Sequence, residues 1–262
     1  MKKKICISLM AAFIALFAVS AFFVISQCTD EKEQTAKYDG LAQVVEQAET
    51  TSTEETPTEE AEDETILQYM RLYEQNSDFV GWIKIDETNI SYPVMQSKNE
   101  PNFYLKHAFD KSYSDYGCPY IQENCTVGES DNLVIYGHHM KNGSMFSDLE
   151  NYKNEDFYKE HKTISFDTLF ERSEYEIVAV FKTVAYSEES FHYYHFVSAE
   201  SVEDFDSYIA KCKELGFYDT GVNAEYGDKL ITLSTCEYSQ NNGRLVVVAK
   251  LLGGQLDTAE TA

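Results

Sequence analysis

A chain of 262 residues with 43% hydrophobic content and 14% aromatics carries enough apolar material for a real core, which excludes a wholly disordered protein. Its 45 acidic side chains against 21 basic ones leave a formal charge of −24, so the electrostatic footprint of a phosphate-backbone binder is missing and nucleic acid is excluded as a partner. The charge is uneven: residues 1–28 carry Lys2, Lys3 and Lys4 and no acid, residues 29–64 sum to −11, and residues 65–262 sum to −16.

The first predicted element is the uncharged run 5–25, whose 21 residues reach across about 30 Å of hydrocarbon as a helix at about 1.5 Å per residue. Lysines stay on the cytoplasmic side, which places the rest of the chain outside the cell. A cleaved signal peptide is the competing reading, with Ala18-Val19-Ser20 as the cleavage site. The apolar run continues past that site through Phe22, Phe23, Val24 and Ile25, which favours a retained anchor. Lipid attachment at Cys28 is disfavoured by Gln27, where a small residue is needed. Residues 1–28 are therefore read as cytoplasmic lysines and a transmembrane signal-anchor. Residues 29–64, rich in Thr, Glu, Gln and Ala, are read as an acidic, disordered linker; a short helix over 41–48 has little to bury.

The folded domain is expected over 65–253, with a C-terminal tail at 254–262. Ile66, Leu67, Tyr69, Met70 and Tyr73 recur at near-helical spacing after an acid-rich entry, which predicts an opening helix. Eight short segments rich in β-branched and aromatic residues follow, at 82–85, 90–94, 120–122, 133–136, 163–167, 175–184, 230–235 and 244–251. With turn residues between them they predict a mainly β domain, an antiparallel barrel or sandwich. One helix interrupts the series: Ser201 caps it, Phe205, Tyr208, Ile209 and Leu215 line one face, and Gly216 stops it.

Of the six cysteines, Cys6 lies inside the apolar run, Cys28 at its edge and Cys212 in the predicted helix, while Cys118 and Cys125 could pair with each other. No cysteine and histidine pairs stand at zinc spacing, and His192-Tyr193-Tyr194-His195 reads as a packed surface pair rather than a metal site. Cys236 differs from the other thiols because it ends the apolar strand Leu230-Ile231-Thr232-Leu233-Ser234-Thr235 beside a polar loop. A thiol becomes a useful nucleophile when a neighbour lowers its pKa or takes its proton. Two strand ends offer such neighbours: His138, after Leu133-Val134-Ile135-Tyr136-Gly137, and Arg244, at the start of the strand that follows the Cys236 loop.

The run Thr232-Leu233-Ser234-Thr235-Cys236 with Arg244 eight residues later, and Tyr136-Gly137-His138 upstream, closely resembles the signature of the sortases. The likeness begins near Tyr73 and includes Asp78-Phe79-Val80-Gly81-Trp82-Ile83 and Tyr92-Pro93-Val94. The helix inserted before the catalytic strand resembles class B. The resemblance implies an eight-stranded sortase-type β-barrel and an extracytoplasmic transpeptidase of a Gram-positive cell, with no metal or organic cofactor. It implies that Cys236 attacks the Thr carbonyl of a C-terminal sorting motif, that His138 is the general acid and base, and that Arg244 holds the oxyanion with the backbone N–H of Glu237. Tyr136, Ser234, Asn102 and Leu105 fall where the family lines its substrate groove. The implied partners are surface proteins bearing the motif and an acceptor amine, on a peptidoglycan cross-bridge or a pilin lysine.

Strand alternation sends adjacent side chains to opposite faces, so only one of His138 and His139 is expected to face Cys236. The family pattern selects His138, leaving His139 directed to solvent or to the loop 140–146. Two other functions stay open on the residues alone: a thiol endopeptidase whose acyl intermediate is taken by water, and a non-catalytic tethered adhesion module.

Overall fold

The computed structural model describes residues 2–51 and 59–253; the centre of the expected linker at 52–58 and the expected tail at 254–262 lie outside the described residues. Helix α1 spans Lys2–Thr51. It runs on past Cys28, and the continuation has a local cause. Residues 29–51 contain no proline and are dominated by Glu, Gln, Lys and Ala, which lose little rotamer freedom in a helix. Lys37 and Glu33 pair one turn apart at 3.4 Å. Low apolar content does not argue against a helix.

Helix α2 spans Glu59–Gln75 and starts earlier than the periodicity suggested. It buries Tyr69 and Leu72, and the Tyr69 hydroxyl donates to Asp167 at 2.9 Å. Eight strands follow: β1 (Phe79–Lys84), β2 (Ser91–Met95), β3 (Tyr120–Ile121), β4 (Asn132–Tyr136), β5 (Thr163–Thr168), β6 (Glu174–Val184), β7 (Leu230–Glu237) and β8 (Gly243–Leu251). A six-residue helix, α3, spans Glu155–Glu160, and α4 spans Val202–Leu215.

The strands close a barrel in the order β1-β2-β3-β4-β7-β8-β6-β5. The all-antiparallel expectation is corrected at two seams: β2 runs parallel to β3, and β4 runs parallel to β7 over five residue pairs, Asn132↔Leu230 to Tyr136↔Ser234. Alternation and β-propensity report where strands lie and say nothing of their direction. The chain between β4 and β7 is long enough for the crossover that a parallel pair requires. Because both strands run the same way, His138 and Cys236, just past or at their ends, emerge at one rim of the barrel.

Helix α4 begins as expected, the Ser201 hydroxyl accepting from the Asp204 N–H at 3.2 Å. Its inner face buries Phe205, Tyr208, Ile209 and Cys212. At Gly216 the backbone turns extended, with φ −55° and ψ 141°, and the Phe217 N–H bonds the Val180 carbonyl of β6 at 2.9 Å. The stop is therefore made by leaving the helix for the edge of β6, not by a left-handed glycine. The Cys118 thiol donates to the Pro93 carbonyl at 3.4 Å and the Cys125 thiol to the Asn132 carbonyl at 3.5 Å, so the pairing left open by the sequence is not made.

Candidate active site

Three strand ends build one cleft of about 580 Å³, lined among others by His138, Cys236 and Arg244. Cys236 and Arg244 are direct partners in the β7/β8 ladder, so their side chains leave the sheet on the same face. The Arg244 guanidinium donates to the Gly243 carbonyl at 2.9 Å, which anchors one nitrogen at the base of the cleft. Cys236 is half-buried and opens into the cleft, whereas Cys118, Cys125 and Cys212 are buried. Burial pushes the Cys212 thiol up to about 12, which keeps it a thiol.

His138 is carried past the end of β4 by Gly137. A Cβ at Gly137 would lie 2.5 Å from the ring of Phe146, so only glycine allows this approach. The segment 137–139 is then laced to the end of β7. The Gly137 N–H donates to the Ser234 carbonyl at 3.1 Å, the Thr235 hydroxyl to the Gly137 carbonyl at 2.8 Å, and the Tyr238 hydroxyl to the His139 carbonyl at 2.8 Å. The His138 ring meets the Leu105 carbonyl through Nε2 at 2.8 Å. A carbonyl oxygen only accepts, so Nε2 carries the proton and Nδ1 keeps the lone pair in the neutral ring. Burial pushes His138 below its ordinary value and outweighs the Leu105 carbonyl, which favours the charged form.

The remaining expected residues fall in two places. Tyr136, Ser234, Asn102 and Leu105 line the cleft. Asn102 sits in a left-handed conformation, φ 61°, and its side-chain Oδ1 accepts from the Tyr120 hydroxyl at 2.9 Å. Ser234 is buried and shares a 2.6 Å hydrogen bond with the Tyr193 hydroxyl. The Glu237 side chain points the other way. Burial alone would raise its carboxyl, but hydrogen bonds from Lys153 at 2.7 Å and from the Ser239 hydroxyl and N–H hold it at about 2.

Sequence reasoning missed one wall of the cleft, formed by Tyr186, Tyr193, Tyr194 and His195. The stretch 192–195 is thus not simply a surface pair: Tyr193 is buried, His195 reaches the cleft, and the two histidine rings stand 5.0 Å apart. Among the described residues no group of three or more His, Cys, Asp or Glu side chains stands where a metal ion could be held. Gln122 knits this wall to the floor, accepting from the Tyr136 hydroxyl and donating to the Tyr194 carbonyl at 2.9 Å. The density of tyrosines after β6 was the available signal. His139 also departs from expectation: its Nδ1 lies 3.1 Å from the Cys236 carbonyl.

Comparison with known proteins bears directly on this arrangement. The family model described as the sortase domain matches residues 83–252. Sortase B of Listeria monocytogenes is 34% identical over 212 residues, spanning 80% of this chain and 84% of that protein. Sortase B of Staphylococcus aureus is 27% identical over 242 residues, spanning 91% and 93%. The structure of a Staphylococcus aureus sortase B–substrate complex superposes with a TM-score of 0.73 at 29% identity, covering 86% of this chain and 98% of that one. A closed eight-stranded mixed barrel, a thiol, an imidazole and a guanidinium on one cleft, and these relatives lead to one conclusion: the chain belongs to the sortase family of cysteine transpeptidases, alongside its class B members.

Proposed function

We propose that the protein is a membrane-anchored, extracellular cysteine transpeptidase that cleaves a C-terminal sorting motif after its threonine and transfers the acyl group to a peptidoglycan amine. The convergence of Cys236, His138 and Arg244 on one cleft carries this reading. In the first half-reaction Nδ1 of His138 takes the Cys236 thiol proton as the sulfur attacks the Thr carbonyl carbon. Arg244 and the Glu237 N–H receive the developing oxyanion, and the scissile C–N bond breaks as His138 gives a proton to the departing amine. In the second, the acceptor amine attacks the thioacyl carbon, His138 takes its proton and passes it to the sulfur as the C–S bond breaks, which restores the Cys236 thiol and the neutral ring. Nδ1 of His138 is the nitrogen that cycles, because Nε2 is engaged by Leu105.

The apolar stretch of α1 supports the anchor: among the described residues the one candidate span lies within Phe13–Val45, and Lys2, Lys3 and Lys4 precede it. The segment 29–64 is taken as the spacer and 65–253 as the catalytic domain. Cys236→Ala should fold normally and lose all turnover, and mass spectrometry with a peptide library should trap a thioacyl adduct on the native enzyme alone. Residual cleavage by Cys236→Ala would overturn the assignment. Product yield with and without an added amine separates transfer from hydrolysis.

A further inference from the structure

Nothing in the reaction scheme uses His139, yet it is placed against the nucleophile's own backbone. Its Nδ1 lies 3.1 Å from the Cys236 carbonyl, its ring packs on Tyr238 with centroids 5.1 Å apart, and the Tyr238 hydroxyl returns a 2.8 Å hydrogen bond to the His139 carbonyl. The backbone of His139 is bridged to Met145, which holds the residue from its other side. We propose that His139 is a positioning residue for acyl transfer, acting through the Cys236–Glu237 peptide unit. The carbonyl accepts, so Nδ1 carries the proton. In a planar trans peptide, fixing the Cys236 carbonyl fixes the direction of the Glu237 N–H on the opposite side. A donor on the carbonyl also polarises the unit and strengthens its N–H as a donor to an oxyanion. His139 and Tyr238 thus close a clamp on the peptide that follows the nucleophile, while His138, one residue earlier, handles the proton.

The inference rests on the assignment of Cys236 as nucleophile, so the test runs Cys236→Ala beside the His139 variants, on the whole chain, with a sorting peptide and an amine acceptor. His139→Ala should lower kcat about 10-fold while KM stays within about twofold, because a weakened oxyanion donor acts in the transition state. His139→Asn, whose side-chain N–H can stand where Nδ1–H stood, should recover kcat to within about threefold of the native enzyme. Alkylation of Cys236 by iodoacetamide, which builds no oxyanion, should proceed at an unchanged rate in both variants. If His139→Ala is poorly folded, Tyr238→Phe, which keeps the ring and removes the hydroxyl, should show the same selective fall in kcat. Native kcat in both His139→Ala and Tyr238→Phe, failure of asparagine to rescue, or a parallel loss of alkylation would each overturn the proposal. Activity in Cys236→Ala would instead overturn the reading on which it rests.

Discussion

Arg244 stands directly across the ladder from Cys236 with one nitrogen already spent on the Gly243 carbonyl, so its value to the reaction lies in what the rest of the planar fork can still donate. Lysine keeps the charge but offers a mobile point donor that cannot hold Gly243 and an oxyanion at once. Arg244→Lys is therefore expected to lower kcat/KM about 100-fold with little change in thermal stability, as removal of an oxyanion donor does. Steady-state kinetics on a sorting peptide measure this, and near-native values would leave Arg244 only a structural part. At this scale the meeting of Cys236, His138 and Arg244 on one cleft was legible because each stands at one end of an apolar run and in a specific motif. His139 was not. Alternation assigns it to the face away from the nucleophile, and that rule ends where the strand does: β4 stops at Tyr136, and the turn at Gly137 lets both histidines contact the 236 region or its cleft. The tyrosine wall was missed for a similar reason, since 193–195 form a 3-10 turn whose contacts reach to Gln122, far off in sequence.

Among the elements, the last residue of β7 ties the catalytic strand to the 3-10 segment Ser147–Lys153 that follows the His138 loop. Glu237 is buried, Lys153 reaches it at 2.7 Å and Glu150 at 2.5 Å, and Ser239 completes its partners. A carboxyl held at about 2 against an ordinary 4.5 binds its proton less readily folded than unfolded. The ion pair therefore stabilises the fold fully above about pH 4.5, and that contribution drains away as pH falls toward 2. Lys153 is partly open to solvent, which screens the pair, and its net worth is on the order of 2 kcal/mol. Glu237→Gln should lower the melting temperature at pH 7 by roughly 4–8 °C, with the gap to the native protein narrowing between pH 4.5 and 3. A gap that stays constant over that interval would show that the carboxylate charge is not what the contact uses. The strands themselves were largely legible, because β-branched runs bounded by turn residues mark the barrel staves within a few residues. Their order was not, since the parallel β4/β7 seam depends on how the long intervening chain crosses over.

The chain divides into a helical unit over Met1–Leu41 and a larger unit over Ala42–Ala262 that contains the barrel, and the two answer to different physics. Residues 29–64 carry 13 acids, Lys32 and Lys37, with few apolar side chains, of which Tyr38 and Val45 are buried. What α2 gives the barrel comes later in the chain: Tyr69 and Leu72 are fully buried, and Tyr69 bonds Asp167 on β5. A chain beginning at Glu64 keeps all of these. It should be soluble and monomeric, and it should turn over a free sorting peptide at a rate within about twofold of the full chain, since a dissolved peptide reaches the cleft by diffusion in either case. Membrane-held substrates are a different matter. A tether fixes the effective concentration of the barrel near them, and its removal should cut anchoring of a surface protein on cells by one to two orders of magnitude with no change in the peptide assay. Peptide turnover that disappears on truncation and returns when residues 1–63 are restored would show that this segment builds part of the catalytic unit instead of carrying it.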